Sequence, residues 1–148
     1  MVKRPAWKEQ PRPQKVARSV AVPTYHDFRP SWRIGSMLLV HDDFGFHEID
    51  GVALKNLQQR LRGYECRTWR DILHTKQHSD DHFMPVDRIS KEARTLLEQS
   101  GVGDVDEVVS LRVGGKCRMW GIMQSGGTLL ILWWDPKHLV YEMNVKGN

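Results

Sequence analysis

The last third of the chain constrains the fold more than any other part of it. Short runs rich in β-branched, aromatic and aliphatic residues follow one another at residues 107–113, 116–123, 128–134 and 139–143. The runs are separated by turn-forming residues: Gly114-Gly115, Ser125-Gly126-Gly127 and Asp135-Pro136. Gly-Gly is a favoured two-residue hairpin turn, because both central residues can adopt a positive φ. This spacing predicts an antiparallel meander of four strands.

Helices are predicted before these strands. Asp50, Thr68 and Ser90 are residue types that cap helix N-termini, and apolar residues at helical spacing follow each of them. The three helices are expected to end near residues 62, 76 and 99. Short strands are expected at 36–40 and 83–86, after irregular structure over 25–32. The sequence therefore predicts an α+β fold, with the N-terminal helices covering one face of a C-terminal antiparallel sheet.

The positive charge of the chain is concentrated at its start. The net charge is +4, yet residues 1–24 alone carry six basic side chains and one acid, so the remainder is nearly neutral. Four prolines in this segment oppose helix formation, and few apolar residues are available for burial. We therefore expect residues 1–24 to form a flexible basic arm and residues 25–148 to form one domain. The arm is interpreted as a phosphate-seeking tail, a solubilising leader or a docking strip for a protein.

Several classes of protein are disfavoured by composition. Cys66 and Cys117 form no CxxC pair, which excludes a disulfide framework and a cysteine zinc site. No apolar run approaches the roughly 18 residues that span a bilayer, and the N-terminus lacks a signal-peptide pattern. His74, His78 and His82 recur every four residues, but the surrounding polar residues favour a connector. We expect no metal, no cofactor, no membrane contact and a cytoplasmic location.

Two stretches of the last third resemble a known family. Residues 111–122 read Leu-Arg-Val-Gly-Gly-Lys-Cys-Arg-Met-Trp-Gly-Ile, and residues 129–141 read Leu-Leu-Ile-Leu-Trp-Trp-Asp-Pro-Lys-His-Leu-Val-Tyr. The first is similar to the Leu-Arg-x-Gly-x-Tyr-Arg-x-x-Tyr stretch of the RelE/ParE toxin superfamily. The second is similar to the last two strands of that family, which are joined by a basic or histidine-containing turn. The resemblance covers roughly residues 90–143.

This resemblance implies a RelE-like fold, in which helices pack on a curved antiparallel sheet. RelE-like members are mRNA endonucleases that act on the ribosome, whereas ParE-like members inhibit gyrase. Members are usually paired with an antitoxin protein. The expectation is therefore a toxin-type endoribonuclease that cleaves RNA without metal, with RNA, the ribosome and an antitoxin as partners.

Candidate site residues follow from the same resemblance. Arg118 matches the strand arginine of the family, and Arg112 matches the basic position one strand earlier. His138 lies in the turn where ribonuclease members place a basic residue, and Tyr141 matches their C-terminal tyrosine. Arg118, His138 and Tyr141 are expected to be catalytic, because phosphate-ester cleavage needs a cationic clamp and a group that moves a proton near neutral pH. Arg112, Lys116 and Trp134 are expected to bind substrate.

Each of these residues also has an ordinary structural interpretation. Arg118 could lie on a solvated sheet face or pair with Asp135, and His138 could be a turn residue. Tyr141 could be a half-buried sheet aromatic. Trp133 and Trp134 point to opposite faces of a strand, so only one of them is expected in the core. The alternative function is a non-catalytic module that binds protein or nucleic acid with the same sheet face.

Overall fold

The computed structural model describes residues 25–74, 80–102 and 104–141. The predicted N-terminal arm and residues 142–143 of the fourth predicted strand lie outside the described residues. Within the described part, no helix is both long enough and apolar enough to cross a bilayer.

A five-stranded mixed sheet forms the centre of the fold. Its strands are β1 (Ser31–Arg33), β2 (His82–Pro85), β3 (Glu107–Gly114), β4 (Cys117–Met123) and β5 (Thr128–Asp135), in the spatial order β1-β5-β4-β3-β2. Strands β2 to β5 are antiparallel neighbours, and β1 runs parallel to β5 at the far edge. The α+β class is thus confirmed, whereas the parallel edge strand was not expected.

Three helices accompany the sheet: α1 (Gly51–Glu65), α2 (Trp69–Leu73) and α3 (Lys91–Gln99). Each begins where the sequence predicts, because the side chains of Asp50, Thr68 and Ser90 accept hydrogen bonds from backbone N–H groups of the first turn. Of the predicted helix ends, that of α3 at Gln99 is confirmed, and the other two are not. Helix α1 continues through Gly63, and α2 ends at Leu73.

The helices cover both faces of the sheet, which corrects the expectation of one covered face. One core cluster joins α3 to the sheet residues Val108, Trp120, Ile122, Leu130 and Leu132. The other joins α1 and α2 to Val109, Leu111, Met119, Leu129 and Ile131. The near-continuous apolar run of β5 is the sequence signal for this arrangement, because a strand buried on both faces needs no polar alternation.

Trp133 and Trp134 are both in the core, contrary to the expectation that only one would be. They are 2% and 4% exposed and belong to the clusters on opposite sides of the sheet. The β4–β5 register shifts between Trp120 and Gly121, so that β5 holds one extra residue there. Because helices cover both faces of the sheet, each of the two indole side chains packs into a separate core.

Two predicted strands are wrong. Residues 36–40 form a loop in which Leu39 and Val40 are exposed, although Leu38 N–H donates to the carbonyl of Leu132. The described part of the fourth β-rich run is also not a strand, since Tyr141 forms only an isolated bridge with Ile89. Both runs are short, and within the described residues neither pairs with another strand along its length.

Candidate functional site

Arg118 lies on β4, on the sheet face that α3 covers. It is two residues from Trp120 and therefore on the same face of the strand. Its Nη1 donates to the backbone carbonyls of Gly115 (2.9 Å) and Cys117 (3.2 Å). The side chain is half-buried, and within the described residues its hydrogen bonds use Nη1 alone. The Nε and Nη2 donors thus form a free edge, the one that matches two phosphate oxygens.

A buried carboxylate holds the turn that carries His138. Asp135 ends β5 and is fully buried, and its side chain accepts from Leu139 N–H (2.7 Å) and Val140 N–H (3.0 Å). It also accepts from the indole Nε1 of Trp120 at 3.1 Å. The described side-chain hydrogen bonds of Asp135 therefore come from backbone N–H groups and an indole, and not from Arg118, which the structural interpretation offered as an alternative partner. His138 lies in this turn, between Asp135 and the two N–H groups that donate to it.

His138 lies beside Tyr141, and Arg118 is near enough to act electrostatically on His138. The imidazole and phenol ring centroids are 6.2 Å apart. Burial lowers the pKa of His138, and the positive charge of Arg118 lowers it further. Asp135 opposes these effects, whereas His82 and Lys116 add to them. His138 is therefore mainly neutral at pH 7, in the form that accepts a proton.

Arg112 extends the cationic surface onto β3, directly opposite Arg118 in the antiparallel register. Its Nη1 donates to the carboxylate of Asp80, and this hydrogen bond is the main reason why the pKa of Asp80 is lowered. The charges of Arg118 and Arg60 lower the pKa of Asp80 as well. Three arginines thus stabilise one exposed anion.

A buried network supports this part of β3. Asp81 is 5% exposed and accepts from the phenol of Tyr64 (2.6 Å) and the backbone N–H of Arg112 (2.8 Å). The carbonyl of Arg112 accepts from Arg60 Nε at 2.9 Å, and the hydroxyl oxygen of Tyr64 lies 3.0 Å from it. Burial and the adjacent Asp81 raise the pKa of Tyr64. Arg60 and Tyr64 of α1 therefore hold the backbone of Arg112 in place.

The two remaining predicted residues are placed differently from each other. Lys116 is exposed in the β3–β4 turn, where its charge acts on His138. Trp134 is buried on the opposite core and packs against Phe46, with ring centroids 6.0 Å apart. It has no free face to stack on a base, and we leave it out of the site.

Sequence reasoning missed three groups at this surface. His82 and Asp80 come from β2 and the residue two positions before it, and β2 pairs with β3 only in the folded sheet. No local pattern marks them. Asp135 did carry a signal, because an Asp before a turn proline is a residue type that bonds nearby backbone N–H groups.

Comparison with known proteins adds no family for this chain. No protein-family model, no curated protein and no solved structure matches it.

Proposed function

We propose that this protein is a toxin-type endoribonuclease that cleaves RNA without a metal ion at the surface formed by Arg118, His138 and Tyr141. One observation carries the proposal. A guanidinium with a free donor edge lies close enough to a mainly neutral imidazole to lower its pKa, and a phenol lies beside that imidazole.

His138 is suited to the proton-transfer step. In metal-independent cleavage the ribose 2′-hydroxyl attacks the adjacent phosphorus while the bond to the 5′-oxygen breaks. The products are a 2′,3′-cyclic phosphate and a free 5′-hydroxyl. His138 would take the proton of the 2′-hydroxyl, because its lowered pKa keeps it unprotonated at neutral pH. The departing 5′-oxygen would take a proton from solvent.

Arg118 would stabilise the phosphate as its charge grows in the transition state. Its Nε and Nη2 can donate to two phosphate oxygens, while Nη1 remains anchored to the hairpin carbonyls. Arg112 and Lys116 would hold neighbouring phosphates. The stabilisation of Asp80 by three arginines supports this assignment, because it shows a surface that favours an anion.

The fold and partners belong to the same proposal. The order α3, β3, β4, β5 corresponds to the RelE-like order of a helix followed by an antiparallel meander. We accordingly propose a RelE-like curved sheet, RNA on the ribosome as substrate and an antitoxin as the protein partner. A cytoplasmic location completes the proposal, since Cys66 and Cys117 are both free thiols.

The test is cleavage of RNA by purified protein, alone and with ribosomes, in the presence of EDTA. We expect cut ends with a 2′,3′-cyclic phosphate. Arg118→Ala should lower the cleavage rate by about 10²-fold or more, because it removes a donor to the developing charge. Arg62→Ala is the matched control, since Arg62 is exposed on α1 at the other side of the sheet. Unchanged cleavage by Arg118→Ala in a folded protein would overturn the proposal.

A second experiment separates cleavage from binding alone. The double variant His138→Ala/Tyr141→Phe keeps every arginine of the surface, so a binding module should retain its RNA affinity and its effect on cell growth. An endoribonuclease should retain RNA affinity but lose growth inhibition and product formation. Equal growth inhibition by wild type and double variant would favour the non-catalytic function.

A further inference from the structure

Two histidines from distant parts of the chain meet at the surface near the end of α2. His26 lies just after the start of the described chain, and His74 directly follows α2. Their Nε2 atoms are 3.2 Å apart, and the phenol oxygen of Tyr25 is 3.0 Å from Nε2 of His74. The histidine spacing noted in the sequence linked His74 with His78 and His82 and gave no signal for His26; His78 lies outside the described residues.

The distance between the two Nε2 atoms matches the distance between two ligand atoms of a single metal ion. Two imidazole nitrogens at about 2.0–2.1 Å from a tetrahedral Zn²⁺ lie about 3.3–3.4 Å apart. The observed separation of 3.2 Å between the two Nε2 atoms is within a few tenths of an ångström of that ligand–ligand distance. The rings are inclined by 71°, so the two nitrogens approach each other without the rings stacking face to face.

Hydrogen bonding alone does not explain why these groups lie so close together. Nε2 of His74 has either one lone pair or one N–H, yet two polar atoms converge on it. Only one of them can make a well-directed hydrogen bond with it. A cation held by the two imidazoles would instead use the lone pairs of both Nε2 atoms.

The two histidines are held in place by the backbone around them. Arg70 N–H donates to the carbonyl of His26, and Trp69 N–H donates to the carbonyl of Phe28, each at 3.0 Å. These bonds attach residues 26–28 to the first turn of α2, and an ion pair between Asp27 and Arg70 joins the same two segments. The pair is thus preorganised, and little ordering would be needed on binding.

From this geometry we propose that His26 and His74 form a binding site for a divalent transition-metal ion, with Zn²⁺ as the probe. Imidazole ligands suit Zn²⁺, Cu²⁺ and Ni²⁺ rather than Mg²⁺ or Ca²⁺. Among the described residues no group of three His, Cys, Asp or Glu side chains could hold a metal. The site would therefore have two protein ligands and solvent in the remaining positions, and it would bind reversibly. It shares no residue with the RNA surface and does not rest on the proposed function.

The protonation of the neighbouring groups is consistent with this assignment. Burial lowers the pKa of His74, and the charges of His26 and Arg70 lower it further, which favours the neutral form that binds metal. The proposed ligand set is the two imidazoles, with the phenol of Tyr25 as their neighbour.

The test is titration of the full chain with ZnCl₂ at pH 7.5, followed by calorimetry and by the thermal unfolding midpoint. Cu²⁺ binding followed by electron paramagnetic resonance should show coupling to two nitrogens. We expect His26→Gln and His74→Gln each to weaken binding by at least about tenfold, since even the loss of an outer partner costs that much. Tyr25→Phe should bind as the wild type does.

His47→Gln is the matched control, because it removes another exposed histidine, whose side chain contacts Leu39 and Glu48 among the described residues. Binding that survives both His26→Gln and His74→Gln would overturn the proposal, as would the absence of a saturable metal site in the wild type. Equal loss of binding in His47→Gln would also contradict it, because the effect would then not be specific to the pair.

Discussion

At the scale of single residues, His138 is the most unusual position of the described chain. Its φ is +60°, and it is the one non-glycine residue of the described part with a positive φ. Such a conformation costs about 1–3 kcal/mol and persists only where the surroundings enforce it. The two N–H groups that Asp135 binds immediately after His138 provide that constraint. The imidazole is thus held beside Arg118 by a strained backbone and a buried carboxylate.

The lowered pKa of His138 predicts a pH dependence of stability. Burial and Arg118 hold the pKa below its ordinary value of 6.5. Above that value both the folded and the unfolded chain leave the ring neutral, so the stabilising contribution is complete. As the pH falls below about 6.5, the unfolded chain binds the proton first, and the free energy of unfolding decreases.

The measurement is urea unfolding between pH 7.5 and pH 5. His138→Asn should reduce the loss of stability on acidification, and asparagine tolerates the positive φ better than most residues. Lys137→Gln, in the same turn, leaves His138 in place and serves as the control. The same pH slope in His138→Asn and in the wild type would contradict the prediction.

At the scale of elements, local features were predictable and long-range pairings were not. The caps at Asp50, Thr68 and Ser90 were found because each depends on a few adjacent residues. Strand β1 was missed because it has three residues and becomes a strand only by pairing with β5. The two-sided burial of β5 was readable from its apolar run, but the bulge that places the consecutive residues Leu132 and Trp133 in the same core was not.

Two glycines predict opposite effects of the same substitution. A Cβ at Gly121 in β4 would lie 2.6 Å from the carbonyl oxygen of Leu130, a backbone atom that cannot move alone. Gly121→Ala should therefore destabilise the protein by about 1–3 kcal/mol. Gly63, inside α1, has open space around its Cβ position. Gly63→Ala should stabilise the protein by about 0.5–1 kcal/mol, because alanine loses less backbone entropy in a helix.

Chemical denaturation of the two variants beside the wild type checks both signs. A stable Gly121→Ala protein would mean that β4 and β5 are farther apart than described. A destabilised Gly63→Ala protein would mean that α1 ends before residue 63, as the sequence alone suggested.

At the scale of the whole molecule, charge is divided between the arm and the domain. If residues 1–24 hold RNA phosphates, replacing their six basic residues with glutamine should flatten the salt dependence of RNA binding. Each lost contact on single-stranded RNA reduces the slope of log K against log salt by about 0.7, so the full loss is up to about 4. Fluorescence anisotropy with a labelled RNA at several salt concentrations measures this slope.

The control is Lys55→Gln/Arg62→Gln, which neutralises two exposed residues of α1. It should leave the slope unchanged. An unchanged slope in the arm variant would show that the arm acts in another way, for example as a docking strip for a protein.

The candidate site shows how much of a functional surface can be predicted from the sequence alone. Arg112, Lys116, Arg118, His138 and Tyr141 were chosen from two short stretches near the end of the chain. Asp80 and His82 join them only because β2 pairs with β3, nearly thirty residues further along the chain. A site composed of neighbouring hairpins can be foreseen, whereas contributions from across the sheet require the fold.

The parallel pairing of β1 with β5 has a consequence for the synthesis of this protein. Ser31 pairs with Thr128, and their hydroxyl groups are 2.8 Å apart although 97 residues separate them in the chain. On the ribosome, the segment that becomes β1 emerges long before its partner exists. Strand β1 therefore stays unpaired until residues 128–130 have been synthesised, and a chain released before then would expose β1 and the edge of β4 that β5 normally covers.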